Sequence, residues 1–327
     1  MKYNTLSKII LIALTATNIE AKTGIDLPSF IYDGKRADAR AVGMGEAFVS
    51  VCDNPSAAYW NPAGIKQLQR NYFFTCLDIF DKTDADGAYL HKNDSLGNKQ
   101  MLLLGLAAKE GAFTFRPVTH YSGVYNNREI DIRVNKYTLS SASEYSQNML
   151  IGINLSYISG NMGVVDRNNL SARVSNGDGA AVDWGLLYSM NEYVKLGFDI
   201  ENAPGYIWWD EYGHHQLKSH LQTGFSIKYS EWLLVAMEYE NKNVDLKWKD
   251  YYHIGLQQGI YRAVFLRQGV IFKDISKIKS DKNTYTFGLG CAIKNDFTID
   301  VSAKTEKLDN PANDKVTNYL FSVNMPF

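Results

Sequence analysis

Two residues four apart in a loop-like stretch carry side chains that bind metal ions. Asp210 and His214 lie within residues 203–217, and carboxylate and imidazole groups are common zinc ligands. No third and fourth ligand with a recognisable spacing accompanies them in the sequence, so we predict no metal site. The aromatic residues of this stretch favour an exposed loop that contacts the membrane interface or a partner, or that closes over a pore. The candidate contact residues are Trp208, Trp209 and Tyr212.

Pairs of carboxylates two residues apart could do acid–base chemistry. Glu238 and Glu240 form one pair, and Asp199 and Glu201 form another; carboxylates this close can couple their titrations. Basic residues follow on neighbouring faces, at Lys195, Lys228 and Arg267. A mixed-charge interior is the simpler interpretation, and no Ser-His-Asp arrangement is recognisable. We therefore predict a protein with no catalytic residues and no cofactor.

A glycine pair near the N-terminus superficially resembles a dinucleotide fingerprint. Gly43, Met44 and Gly45 are followed by Glu46, but the third glycine is missing and no βαβ pattern surrounds the stretch. A dinucleotide site is rejected.

The elements that must position these groups are strands. From residue 70 onward, apolar residues alternate with polar or small ones, as in Met149, Ile151 and Ile153 against Gly152 and Asn154. Such a period of two predicts strands with one apolar face and one face of polar or small residues. Fourteen strands are expected near residues 72–80, 100–109, 111–118, 134–143, 147–160, 181–190, 193–202, 218–229, 231–241, 250–258, 262–272, 284–293, 296–304 and 316–327.

The predicted connections alternate between long and short. The long ones include residues 81–99, 119–133, 161–180, 203–217 and 273–283, and they alternate with turns of one to three residues at positions 110, 144–146, 191–192, 230 and 294–295. A soluble β-sandwich also alternates, but loop lengths sorted by end over fourteen antiparallel strands are typical of a transmembrane barrel. About ten residues is also the length that a tilted strand needs to cross a bilayer. The predicted fold is an all-β, fourteen-stranded antiparallel barrel.

Composition agrees with an exported barrel. The 34 basic and 35 acidic residues nearly cancel, which makes nucleic acid an unlikely partner, and the 13% aromatic share, with 21 Tyr, suits interfacial girdles. Three scattered cysteines fit neither a disulfide framework nor a CxxC metal site. Lys2 and Lys8 with the apolar run 9–16 predict a signal peptide over residues 1–21. We expect residues 22–70 to precede a barrel of residues 71–327.

The C-terminal strand ends on an aromatic residue. Tyr319, Phe321 and Phe327 lie on one face of the last predicted strand, which looks like the signal read by the outer-membrane barrel assembly machinery. Outer-membrane lipid and that machinery are therefore expected partners.

Residues 39–65 are the most specific stretch, ARAVGMGEAFVSVCDNPSAAYWNPAGI. The stretch resembles the N-terminal motif of the FadL-like outer-membrane barrel superfamily, most closely its PorV/PorQ branch. Glu46, Cys52 and Asn54 depart from the usual residues of that motif. The resemblance implies a fourteen-stranded barrel in the cell outer membrane, with a short plug inside the lumen. The plug-motif residues are Arg40, Gly43, Met44, Gly45, Asn61, Pro62, Ala63 and Gly64.

Two functions follow from the resemblance. PorV-like barrels bind secreted cargo proteins in outer-membrane (type IX-like) secretion. This function is the favoured expectation because residues 39–47 resemble the motif of that branch and because the segment before the first strand is short. FadL-like barrels instead pass hydrophobic small molecules such as fatty acids, with a plug that shifts. Cargo binding predicts a protein partner at the long-loop end, and transport predicts an apolar ligand near the plug.

Overall fold

The computed structural model describes residues 36–79, 89–90, 100–168, 170–244, 247–261, 263–273, 283–293, 296–307 and 315–327. The predicted signal peptide and most of the predicted loops 81–99 and 273–283 lie outside these residues. The strands are β1 (Tyr72–Asp78), β2 (Tyr89–Leu90), β3 (Gln100–Ala108), β4 (Gly111–Tyr125), β5 (Arg128–Ser146), β6 (Met149–Asp166), β7 (Ser171–Ser189), β8 (Val194–Glu201), β9 (Gly205–Trp209), β10 (Gly213–Gln216), β11 (His220–Ser230), β12 (Leu233–Val244), β13 (Lys247–Tyr261), β14 (Val264–Phe272), β15 (Thr284–Ile293), β16 (Phe297–Lys307) and β17 (Lys315–Pro326).

Fourteen of these strands form a closed antiparallel barrel, as the sequence predicts. Each barrel strand pairs with its neighbours along the chain, and β17 pairs with β1 to close the wall, with Tyr72 opposite Pro326. The short strands β2, β9 and β10 are additional, since β2 pairs with β4 and β9 pairs with β7 beyond the end of β8. Closure leaves the membrane-level wall without an unpaired edge, as an apolar surrounding requires.

Apolar side chains cover the outer face of the barrel. Leu139, Leu155, Phe287 and Leu289 are exposed there. Aromatic residues border this band, and Tyr137 packs at 5.1 Å from Phe115 and 6.1 Å from Tyr157, measured between ring centroids. A lipid-facing band with aromatic margins is the expected outer surface of a membrane barrel. No helix of the described residues is long and apolar enough to cross a membrane.

Two stretches that the sequence predicts as loops are mostly β-strand in the structure. The expected loop 119–133 is the continuation of β4 and β5 around a tight turn at Asn126 and Asn127, both with positive φ. The expected loop 161–180 is likewise the continuation of β6 and β7. The expected loop 203–217 contains the β9–β10 hairpin. One side of the long-loop end of the barrel is therefore a tall sheet.

Residues 36–68, which we call the lumen segment, are enclosed by the strands. The segment contains α1 (Ala39–Gly43), α2 (Ala57–Trp60) and a 3-10 helix (Pro62–Gln67). Most of its residues are buried, including Phe48 and Trp60. Its contacts run from β5, β6 and β7 at the 3-10 helix to β14, β15, β16 and β17 at α1. A segment that touches opposite walls of a closed barrel lies in its lumen.

Candidate functional site

The first half of the lumen segment is organised around one buried carboxylate. Asp38 accepts a hydrogen bond from Arg40 N at 3.0 Å, which caps α1. The same side chain accepts hydrogen bonds from Asn54 Nδ2 at 2.8 Å and from Ser56 Oγ. α1 ends at Met44, after which Gly45 adopts a left-handed φ of 66°. Asp38 thus ties α1 to the start of α2.

Asn61 holds the second half of the segment. Its Oδ1 accepts from Ala63 N at 3.1 Å, which caps the 3-10 helix, and Pro62 needs no donor at the first helical position. Its Nδ2 donates to Val49 O at 2.9 Å and to Leu186 O of β7 at 3.1 Å. The Asn-Pro pair therefore joins both halves of the segment to the wall.

Glycines on the inner face of the wall let the segment approach closely. A Cβ on Gly255 or Gly269 would overlap the backbone of Met44 or Gly45, respectively. A Cβ on Gly152 or Gly197 would likewise overlap the backbone at Ala63 or Val49, and one on Gly185 would overlap the side chains of Asn61 and Pro62. A Cβ on two further inward glycines would approach the segment to 3.1 Å, on Gly288 opposite Gly43 and on Gly224 opposite the Val49 side chain. Only glycine permits backbone to pack this tightly against backbone.

Polar side chains of the wall bind the backbone of the segment. Glu238 of β12 accepts from Phe48 N at 2.9 Å and Val49 N at 2.8 Å. His253 of β13 hydrogen-bonds Gly45 O through Nδ1 at 2.8 Å, and Ser322 Oγ of β17 accepts from Ala39 N at 2.8 Å. These groups are buried, so each bond satisfies a backbone group that water does not reach.

A buried charged group lies on the long-loop side of the segment. Arg36 pairs with Glu240 and lies 4.0 Å from Glu201. Burial opposes the charge of Arg36, but Glu240, Tyr59, Glu201 and Glu46 together outweigh that effect, and the pKa of Arg36 is raised. Arg116 and Lys136 approach Glu201 to 3.9 and 3.8 Å. We call these five residues the lumen charge group; they confirm the expectation of a mixed-charge interior.

Other ion pairs fix the segment at its edges. Arg40 binds Asp53, with Nη1 to Oδ1 at 2.6 Å, and Lys304 Nζ of β16 lies 2.7 Å from Glu46 Oε1. Burial would raise the pKa of both carboxyl groups, but Arg40 lowers that of Asp53 and Lys304 lowers that of Glu46. Glu46 also has a φ of 63°. Glycine would adopt this conformation with less strain, whereas glutamate supplies the carboxylate that pairs with Lys304.

Beyond the lumen charge group, the interior of the tall sheet is apolar. On β5 the inward residues change from Lys136 and Thr138 to Ile130, Ile132 and Val134. The outward residues change in the opposite sense, to charged ones. The buried residues of this outer apolar cluster are Val118, Tyr121, Ile130, Ile132, Val134, Ile158, Met162, Val164, Ala181, Ile207, Trp209, Tyr212 and Leu217.

The β9–β10 hairpin covers the outer apolar cluster. Trp209 is 4% exposed, and a Cβ on Gly160 would lie 2.6 Å from its ring. Tyr212 is buried as well, whereas Trp208 is 52% exposed. Of the three candidate contact residues, therefore, only Trp208 lies on the surface. Trp209 and Tyr212 pack inward, over the lumen.

Three cavities interrupt the packing. One of about 20 Å³ lies between the outer apolar cluster and the lumen charge group. A second, of about 320 Å³, is lined by Arg36, Glu46 and Lys304. A third, of about 550 Å³, opens at the short turns and is lined by Arg40 and Asp53. The second and third share no lining residue, and the lumen segment separates them.

The structure also shows where the residues of the predicted assembly signal, the two candidate metal ligands and two of the cysteines lie. Phe327 is 69% exposed and donates its backbone N–H to Asn71 O at 3.0 Å beside the closing strand pair, and Tyr319 faces outward. Asp210 and His214 flank the hairpin turn, and no group of three metal-binding side chains occurs in the described part of the chain. Cys52 and Cys76 are buried and unpaired, and burial raises the pKa of the Cys52 thiol.

Solved membrane barrels share this fold at low sequence identity. The toluene transporter TbuX of Ralstonia pickettii has a TM-score of 0.63 at 13% identity, over 91% of this chain and 100% of that chain. The monoaromatic hydrocarbon channel CymD has a TM-score of 0.63 at 14% identity, over 90% and 98%. A FadL homologue of Pseudomonas aeruginosa has a TM-score of 0.58 at 12% identity, over 90% and 99%. No family model and no curated protein matches the sequence.

Proposed function

We propose that the protein is an outer-membrane channel for hydrophobic small molecules such as fatty acids, with the lumen segment as its plug. The outer apolar cluster carries this proposal. The lumen of a water-filled porin is polar, whereas here most inward residues of β4, β5 and β6 are apolar where the barrel rises beyond the membrane. An inward apolar surface is suited to an apolar molecule.

The order of chemistry along the lumen supports an amphipathic substrate. The outer apolar cluster meets the lumen charge group at the small cavity, whose walls include Val134 and Ile158 as well as Arg116 and Lys136. An apolar chain would contact the former residues and a carboxylate the latter. The cavity holds only about 20 Å³, so a substrate enters only after a rearrangement.

The β9–β10 hairpin is the element whose movement would open this route. Its inward residues Ile207 and Trp209 pack over the inner faces of β6 and β7, where Gly160, Gly177 and Gly179 leave room for them. It is joined to the wall by the pairing of β9 with the end of β7, from Gly177 to Ala181. Loops and hairpins that move to admit a substrate are common gates. The hydrocarbon channels TbuX and CymD support transport by their likeness in fold.

Binding of secreted proteins is the second candidate. Its support is the motif of residues 39–47 together with exposed Trp208 beside the long-loop end. The buried positions of Trp209 and Tyr212 reduce the aromatic surface that a cargo protein would contact. We therefore favour transport over the binding of secreted cargo proteins, which is the function expected from the sequence alone.

Native mass spectrometry after extraction from the host in mild detergent separates the two functions. Transport predicts a bound apolar molecule, lost when Ile132 and Ile158 are both replaced by Asn. Secretion predicts a bound protein, lost on Trp208→Ala. A protein partner in place of an apolar ligand would overturn the transport proposal.

A further inference from the structure

The cavity at the short-turn end, which we call the short-turn vestibule, has the size of a ligand site. Its volume of about 550 Å³ lies in the range of small-molecule pockets, roughly 300–1,000 Å³. The lumen segment closes it on one side and strand ends surround it. It lies on the opposite side of the segment from the outer apolar cluster.

Two lysines of neighbouring strands face this vestibule. Lys195 of β8 and Lys228 of β11 both line it, and the strands pair directly, with Lys195 opposite Ser226. The Lys195 ammonium donates to Gln67 Oε1 of the lumen segment. Among the described residues, no ion pair within 4.0 Å includes either lysine. Like charges on neighbouring strands repel unless an anion lies between them.

Two arginines, Arg267 buried and Arg40 partly buried, extend the same wall. Arg40 Nε and Arg267 Nε donate to a single acceptor, Gln257 Oε1, at 3.0 and 2.8 Å. Each is balanced by one carboxylate, Asp53 for Arg40 and Asp300 for Arg267. Both guanidinium groups are thus held in fixed positions beside the vestibule, where planar forks bind carboxylate or phosphate oxygens.

The acidic residues that line the vestibule are either paired with arginines or exposed in the short turns. Asp53 and Asp300 are paired with the arginines, and Asp296 Oδ2 lies 3.2 Å from Arg70 Nε. Glu192 and Glu231 are exposed in the short turns. Lys195 also contributes to the lowered pKa of Asp53, so Asp53 offsets part of its charge. Among the described residues, Lys195 and Lys228 are the basic groups of the vestibule that form no ion pair within 4.0 Å.

We propose that the short-turn vestibule binds a small organic anion, with its carboxylate or phosphate group between the ammonium groups of Lys195 and Lys228. The two lysines supply the charge, and the arginine pair with Gln257 shapes the wall beside it. This site is distinct from the apolar route and does not depend on the proposed transport function. Anion binding at this site is measured at equilibrium and does not require transport. An uptake assay therefore does not test it.

Calorimetric titration of the full-length protein in detergent at low ionic strength tests the site. Citrate is the carboxylate probe and inorganic phosphate is the second probe. We expect Lys195→Gln/Lys228→Gln to weaken binding at least tenfold, and Lys228→Gln alone, at an exposed side chain, to weaken it severalfold. Lys109→Gln, in a short turn outside the vestibule, is the matched control and leaves affinity unchanged.

The gel shift on heating confirms that each variant is folded. Tighter binding of citrate than of phosphate would assign the site to carboxylates, and the reverse to phosphates; either supports it. Equal affinity of wild type and double variant would overturn the proposal, as would failure of the wild type to bind either probe with a Kd of about 1 mM or below.

Discussion

Gly269 on β14 and Gly45 in the lumen segment face each other with no room for a side chain between them. Gly45 N also donates to Thr286 Oγ1 of the next strand at 2.9 Å. Contacts of this kind recur around the wall, so the segment is fitted to the barrel backbone rather than loosely inserted. Its displacement as a whole would break many buried hydrogen bonds at once.

Replacing Gly269 by Ala should therefore loosen the lumen segment. The added methyl has no free space, and overpacking of this kind costs about 1–3 kcal/mol. Limited trypsin digestion of the purified protein should show faster cleavage at Arg40. Gly163→Ala is the control, because a Cβ there meets no atom within 4 Å; equal cleavage of both variants would contradict the tight fit.

Removing the Glu238 carboxylate should release the middle of the segment. Glu238→Ala leaves the buried N–H groups of Phe48 and Val49 without their acceptor, at a cost of about 1–3 kcal/mol each. Hydrogen exchange should accelerate at these two amides, with little change in Glu144→Ala, which alters an exposed residue. Unchanged protection in the first variant would show that Glu238 is not the anchor.

The Glu46–Lys304 ion pair should make the segment acid-sensitive. Because the folded protein lowers the pKa of Glu46 below its ordinary 4.5, the pair stabilises the fold fully above that value. Its contribution is lost as the pH falls through the lower, folded pKa. Protease resistance at Arg40 should decrease below about pH 4, less so in Glu46→Gln. Identical pH profiles would remove this role.

Deleting Phe327 should reduce the amount of assembled barrel more than the stability of barrels that do assemble. Phe327 is exposed and closes no buried contact beyond its backbone bond to Asn71, so the strand pairing survives. The measurement is the heat-shifted fraction in outer membranes. Tyr285→Ala, which removes an equally outward aromatic residue, is the control, and normal levels of the deletion would leave Phe327 an ordinary lipid-facing residue.

The sequence predicts the barrel well because lipid imposes one pattern on every strand. Apolar-out and polar-in alternation identifies all fourteen strands, but β4 to β7 extend well beyond their predicted ends at the long-loop side. The pattern fails where the wall leaves the membrane, since residues 129–134 read Glu-Ile-Asp-Ile-Arg-Val with their apolar side chains inward. The alternation persists, but the apolar side chains there occupy the inner face instead of the outer one. The sequence pattern therefore predicts a loop where the strand continues.

The site was less predictable, for reasons of the same kind. Repeated inward glycines such as Gly152, Gly185 and Gly197 are visible in the sequence, yet only the folded barrel places them at the level of the lumen segment. The pairing of Glu238 with Phe48 joins residues 190 apart. No local pattern encodes such a contact, whereas the helix caps formed by Asp38 and Asn61 are contacts between residues two apart in the sequence.

Uptake by a hairpin-locked barrel tests the central claim most directly. Ala180→Cys/Tyr206→Cys joins paired positions of β7 and β9, in a background with Cys52, Cys76 and Cys291 replaced by Ala and shown to retain uptake. Asn161→Cys/Asn176→Cys, which joins β6 to β7, is the matched control. Labelled oleate uptake is measured in a host strain whose own fatty-acid channel has been deleted. We predict that oxidation abolishes uptake by the first variant and that reduction restores it, while the control is unaffected; uptake by the oxidised first variant equal to that of the control would contradict an apolar route beneath the hairpin.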